Sequence, residues 1–179
     1  MAEVLLRDLL ATHGVGARVA SAGLYPPGSP ATADAVAVMA DRGLDLQRHR
    51  SRQIDHALLS RADLILTMTR EHVREVAVTD PSFLAKAFTL KELVHLGELV
   101  GPRLAGESHD AWMARLATSR RREALLGVGH DDAYDIADPI GGSRAQYRTT
   151  ANELETLLIR MVELTWLLSG AGEARGLPA

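Results

Sequence analysis

Four places in the 179-residue sequence carry side chains able to act on a bound ligand: Ser21 in "VASAG", His49 in "RHRSRQI", Thr67 to Thr69 in "ILTMT", and Asp138 in "DIADPIGG". A hydroxyl and an imidazole offer hydrogen bonds, and a carboxyl also offers a proton to give or take. Each also has an ordinary structural use. A serine among small residues forms turns, a histidine in a polar loop bonds to its surroundings, and Asp-Pro is common turn chemistry. Cysteine is absent, which excludes disulfides, thiolate metal sites and a thiol nucleophile within these residues. The seven histidines form no HxxxH-type pair, and "GHDD" near residue 130 is a poor metal site, so no metal or organic cofactor is implied.

The elements that must position these residues follow from periodicity. "MAEVLLRDLL" has helical spacing, with Ala2, Leu5, Leu6, Leu9 and Leu10 on one face, Glu3 and Arg7 paired at i,i+4, and His13-Gly14 as a stop, but no capping residue starts it. "ARVASAGL" (17–24) reads as a short strand. Ser29 and Pro30 read as the N-cap and first turn of a helix over "ATADAVAVMADR", closed by Gly43. Asp55 caps a short helix, "HALLSR". The Leu64-Ile65-Leu66 run in "ADLILTMT" (62–69) predicts a parallel strand covered on both faces, followed by a helix over "REHVREVAV" that ends at Asp80-Pro81. "KAFTL" (86–90) is a third strand candidate. Residues 91 to about 130 read as mostly helical, with the basic "RLATSRRRE" as a solvated face. Ser143 and Gln146 form a capping box for a last helix whose apolar face runs Tyr147, Ala151, Leu154, Leu158, Met161, Thr165, Leu168. Strands alternating with helices make the class α/β, and such sheets bind ligands outside the carboxyl ends of their strands, near the positions singled out above.

Length predicts a single domain over residues 1–168, with a helical insertion around 91–132 and a disordered tail at 169–179. A net charge of −3 gives no broad attraction to nucleic acid or to an anionic membrane. The apolar stretches are broken by charge and no signal peptide pattern opens the chain, so the expected compartment is the cytoplasm.

In order, "VASAG", "GSPATADAVAVMADRGLDLQRHRSRQI", "ADLILTMTREH" and "DIADPIGGSRAQYR" resemble the low-molecular-weight protein-tyrosine-phosphatase family, particularly its bacterial branch, over residues 1–90 and about 133–168. The resemblance implies a three-layer α/β/α fold with a parallel sheet ordered 2-1-3-4. It also implies hydrolysis of phosphotyrosine in proteins through a cysteinyl-phosphate formed on a Cys-x5-Arg phosphate loop. By the same resemblance Asp138 is the general acid, Ser21 and His49 support the phosphate loop, and Tyr25 and Ile140 line the substrate rim. The family commonly carries an aromatic residue where Ile140 stands, which keeps phosphoarginine open as the alternative substrate.

The nucleophilic Cys, the phosphate-binding Arg and the first, central strand are absent from these residues, and Met1 aligns with the Met that follows the loop's closing Ser-Pro. Two readings follow: a phosphatase truncated at its N-terminus, or a non-catalytic pseudophosphatase that binds partners. In both, the chain as written is expected to be inactive. The absent strand represents on the order of 10 kcal/mol of aliphatic burial. The expectation is therefore a marginally stable chain, or one that pairs residues 18–24 with 62–69.

Overall fold

The opening helical pattern folds as α1 (Ala2–Thr12), which buries Leu5 and Leu10, has no side-chain cap at Met1 and stops at His13, with Gly14 at φ 67°. In the computed structural model, residues 1–120 and 132–167 are described. They group into two compact units, residues 1–62 with 136–158, and residues 63–120 and 132–135 with 159–167.

In the first unit, residues 17–24 do not form the expected strand. They make one parallel bridge, Gly23 to Gln53, and Ala17, Arg18, Ala20 and Ala22 are exposed. A strand persists when a neighbour completes its ladder of hydrogen bonds, and among the described residues that one bridge is all the ladder this segment has. Helix α2 (Ala33–Ala40) starts later than expected. Its cap is Thr32, whose Oγ1 accepts the Ala35 N–H at 3.3 Å. Ser29 does not cap because its backbone is engaged elsewhere: its N–H donates to Ser51 Oγ at 3.0 Å and its carbonyl accepts from Ser51 N at 2.8 Å. Pro30 forms an antiparallel bridge with Arg50. Gly43, at φ 74°, follows α2 as expected, and Asp55 caps α3 (His56–Ser60) by accepting from Leu58 N at 2.6 Å.

The second unit holds a parallel strand pair. Strand β1 (Ile65–Thr67) leads through α4 (Arg70–Thr79) and a 3-10 turn (Pro81–Ala85) to β2 (Ala87–Thr89), in register Ile65–Ala87, Leu66–Phe88, Thr67–Thr89. The adjacency matches the last two strands of the expected order. β1 is shorter than expected and takes β2, not residues 18–24, as its partner. β2 is buried throughout, whereas Leu66 of β1 is half-buried.

Thr89 caps α5 (Leu90–Val100), and Ser108 caps α6 (His109–Ser119). Trp112 is fully buried, and its indole N–H donates to Gly101 O at 3.2 Å. The described part of the basic stretch is not a solvated face. Arg115 pairs with Glu107 at 3.3 Å and donates to Val100 O, while Arg120, its side chain 4% exposed, pairs with Glu92 at 3.2 Å and lies 3.9 Å over the Phe88 ring. A buried guanidinium requires both a carboxylate and carbonyl acceptors, and Arg120 has them at Glu92, Leu84 O and Ala87 O. Burial holds the Glu92 carboxyl above its ordinary range, with Arg120 pulling the other way.

The last helix, α7 (Arg144–Val162), begins at the predicted capping box: Ser143 N donates to Gln146 Oε1 at 2.7 Å, and Gln146 N to Ser143 Oγ at 3.4 Å. Tyr147, Ala151, Leu154, Leu158 and Met161 are buried along its predicted face, as is Thr165 in the π turn Glu163–Leu167. Leu168, the rest of the basic stretch beyond Arg120, most of "GHDD" and the tail lie outside the described residues. Among the described residues no helix is long and apolar enough to cross a membrane.

Candidate active site

Two of the predicted site residues converge on a carboxylate that sequence reasoning had assigned only to a helix surface pair. Glu3 stands in the first turn of α1 with its side chain 17% exposed. It accepts a hydrogen bond from Ser21 Oγ, pairs with Arg7, and lies 3.8 Å from His49 Nδ1. Arg7 reaches onward to the carbonyl of Val19 at 3.3 Å, which ties the segment before Ser21 to the helix. An acid in a first turn complements the helix dipole, and the i,i+4 spacing to Arg7 is visible in sequence. The contacts from positions 21 and 49 have no local signal.

His49 is delivered by a segment with a fixed backbone. Asp45 Oδ1 accepts from Gln47 N at 2.8 Å, and His49 N donates to Leu46 O at 3.1 Å. Beyond it, Gly23 N donates to Arg52 O at 2.8 Å and Ile54 N to Gly23 O at 2.9 Å, so the loop after Ser21 and the stretch after His49 brace each other. The first-turn amides of α1 receive no side-chain cap, and amides in that position attract anions. Burial holds the α-amino group of Met1 below its ordinary value, with Glu3 acting in the opposite sense.

Asp138 occupies an exposed turn closed by its own side chain, Oδ1 accepting from Ile140 N at 2.9 Å. Gly142 N donates to Pro139 O at 2.9 Å, and a Cβ at Gly142 would stand 2.9 Å from that same backbone oxygen, so a side chain here would force the turn to shift. Buried Ile136 and a bond from Thr150 Oγ1 to Ala137 O at 3.3 Å anchor the turn's leading side. Ile140 is 69% exposed and Tyr25 is 84% exposed. Among the described residues, no hydrogen bond joins Asp138 to Ser21, His49 or Glu3.

The threonines of "ILTMT" serve the fold: Thr67 Oγ1 donates to Thr69 O at 3.0 Å, and Thr69 caps α4 by accepting from His72 N. Asp135, which sequence reasoning passed over, also serves α4 by accepting from Arg70 N at 2.9 Å, a contact between residues far apart in the chain. Among the described residues no group of three or more His, Cys, Asp or Glu side chains is placed to hold a metal.

The family model described as low molecular weight phosphotyrosine protein phosphatase matches residues 1–102. The probable low molecular weight protein-tyrosine-phosphatase EpsP of Ralstonia solanacearum is 42% identical over 94 residues, which are 52% of this chain and 62% of that protein. The chain thus matches less than two-thirds of that relative's length. The protein-arginine-phosphatase of Bacillus subtilis is 29% identical over 164 residues, 91% of this chain and 85% of that one. Among solved structures, a low molecular weight protein tyrosine phosphatase from T. tengcongensis superposes with a TM-score of 0.66 at 27% identity, covering 90% of this chain and 87% of that one. With its fold, its ordered motifs and the match over more than half its length, the chain belongs to the low molecular weight phosphotyrosine protein phosphatase family.

Proposed function

We propose that this protein is a protein phosphatase that acts on phosphotyrosine in a bacterial cytoplasm, with a nucleophile that lies outside these 179 residues. The observation that carries the reading is the meeting of Ser21 and His49 at Glu3, on the end of α1 where a phosphate loop would join the helix. In the family's reaction a thiolate attacks phosphorus and the bond from phosphorus to the tyrosine oxygen breaks. Asp138 gives its carboxyl proton to that leaving oxygen. As a carboxylate it then takes a proton from the water that attacks the cysteinyl-phosphate and frees inorganic phosphate. A solvent-facing carboxyl on an anchored turn suits both steps. Ser21 and His49 act one layer away from phosphorus, holding the loop whose amides and arginine bind the phosphoryl oxygens. Tyr25 and Ile140 supply exposed apolar surface for the substrate rim.

A protein-arginine-phosphatase is the second reading. It is favoured by the aliphatic Ile140 and by the arginine phosphatase that aligns with 91% of this chain. The experiment compares the 179-residue chain with the same chain preceded by a strand, a Cys-x5-Arg loop and Ser-Pro, on phosphotyrosine and phosphoarginine peptides. The extended protein should turn over phosphotyrosine and lose that activity on Cys→Ser, while the shorter chain, having no thiol, should not turn over either peptide. A folded extended protein without turnover overturns the proposal and favours a pseudophosphatase; faster phosphoarginine hydrolysis selects the second reading.

A further inference from the structure

Residues 48–52, "RHRSR", divide their side chains between two tasks. His49 approaches Glu3, and Ser51 Oγ accepts from Ser29 N at 3.0 Å and donates to Pro26 O at 3.3 Å. Arg48, Arg50 and Arg52 are all exposed. Among the described residues the guanidinium groups of Arg48 and Arg52 make no hydrogen bond or ion pair. That of Arg50 uses only Nη1, on the carbonyls of Gln47 and His49. The chain has 23 acidic against 20 basic side chains, so three arginines without carboxylate partners in five residues form a local excess against the average. The nearest acids in sequence, Asp45 and Asp55, are turned onto the amides of Gln47 and Leu58.

The backbone that carries these arginines is hydrogen-bonded to the neighbouring loop. Ser51 and Arg52 accept from Gly28 N at 2.9 Å and Gly23 N at 2.8 Å, and Tyr25, 84% exposed, lies on the loop between those two glycines. Guanidinium forks pair with carboxylates in two-point geometry, and a fixed backbone lowers the ordering cost of doing so. Arg50 and Arg52 are two residues apart, about 6.5 Å in extended backbone, which is the spacing of carboxylates on alternate residues of an extended peptide. We propose that Arg48, Arg50 and Arg52, with Tyr25 beside them, form a docking strip for an acidic peptide segment. Resting on the phosphatase reading, that segment flanks the phosphorylated residue of the substrate, since His49 lies within the strip. A net negative chain with three arginines suits a short peptide better than a nucleic-acid backbone or a membrane, which need a broader basic field.

The test uses the 179-residue chain itself and fluorescence anisotropy at low salt. The probes are a labelled 12-residue peptide with Glu at alternate positions, its Glu→Gln counterpart, a 12-nucleotide single-stranded RNA, and phosphatidylserine vesicles. The acidic peptide should bind at least tenfold tighter than the Gln peptide. Arg48→Glu/Arg52→Glu should weaken it about tenfold without moving the melting curve, because among the described residues neither guanidinium makes a hydrogen bond or ion pair. Equal binding of the two peptides, or unchanged binding by the double variant, overturns the strip. So does tighter binding of RNA or vesicles that the double variant abolishes. No turnover is needed, so failure here leaves the phosphatase reading intact, and a failed turnover assay leaves the strip intact.

Discussion

Replacing Glu3 by alanine should cost about 2–4.5 kcal/mol of stability, most of it from a single oxygen. The Ser21 hydroxyl donates to a largely buried carboxylate, and a hydrogen bond to a charged group contributes about 1.5–3 kcal/mol. The i,i+4 pair with the more exposed Arg7 adds about 0.3–0.5 kcal/mol, and an acid in the first turn adds about 0.3–1 kcal/mol through the helix dipole. Glu3→Gln keeps an acceptor for Ser21 but no charge, and should lose about half as much. In urea, with a slope of about 2 kcal/mol/M, the alanine variant should shift the midpoint down by about 1–2 M and the glutamine variant by about half that, read by far-UV circular dichroism. A Glu3→Ala/Ser21→Ala cycle should return a coupling of about 1 kcal/mol or more, since both single changes remove the same bond. The His49 ring signals in an NMR spectrum should move in both Glu3 variants. An alanine variant within about 0.5 kcal/mol of the parent, or equal losses for alanine and glutamine, would refute the convergence of Ser21 and His49 on this carboxylate.

In the loop-extended protein, Asp138→Asn should slow hydrolysis of a poor leaving group by about 10²–10⁴ and spare an activated phenol, with an unchanged melt because asparagine still accepts from Ile140 N. Equal turnover of a poor leaving group by mutant and parent would remove Asp138 from proton donation. Arg120→Met should cost about 3–5 kcal/mol by stranding buried Glu92. The Glu92 carboxyl, already raised by burial, then loses its main opposing charge. The folded state binds that proton more tightly than the unfolded one, so the variant should weaken further as pH rises from the ordinary 4.5 through the raised value; urea midpoints at pH 4 and pH 7 measure this. Thr32→Ala removes both the α2 cap and the bond to the Tyr147 hydroxyl at 3.0 Å and should cost about 1–2 kcal/mol by thermal melt, with Thr32→Ser recovering most of it.

What was legible in the sequence is what a few neighbouring residues decide. Asp55 before α3, Ser143 with Gln146 before α7, Gly43 after α2 and the Asp80-Pro81 stop after α4 all behave as read, because a cap is a contact across three or four positions. Ser29 misled for the same reason. Its type and the following proline suit a cap, but a partner 22 residues away, Ser51, takes its backbone first, and Thr32 caps instead. The arginines of "RLATSRRRE" looked solvated because charge alone cannot reveal Glu92 and two backbone carbonyls waiting for Arg120.

Residues 17–24 and Glu3 show the two sides of this limit. Alternation in "ARVASAGL" states which side chains share a face, but a strand also needs a neighbour, and pairing is a property of the sheet rather than of the segment. Without that neighbour the segment keeps one bridge and is held instead by side chains: Arg7 on Val19 O and Glu3 on Ser21. The same carboxylate that reads locally as half of a helix surface pair therefore fixes Ser21 and approaches His49 at the end of α1. The resemblance implies that those two residues support a loop; their geometry adds that Ser21 is held by a residue of the helix itself and that His49 lies 3.8 Å from the same carboxylate. That makes their alignment a measurable property of this chain in the absence of any nucleophile, through the Glu3 and Ser21 variants above.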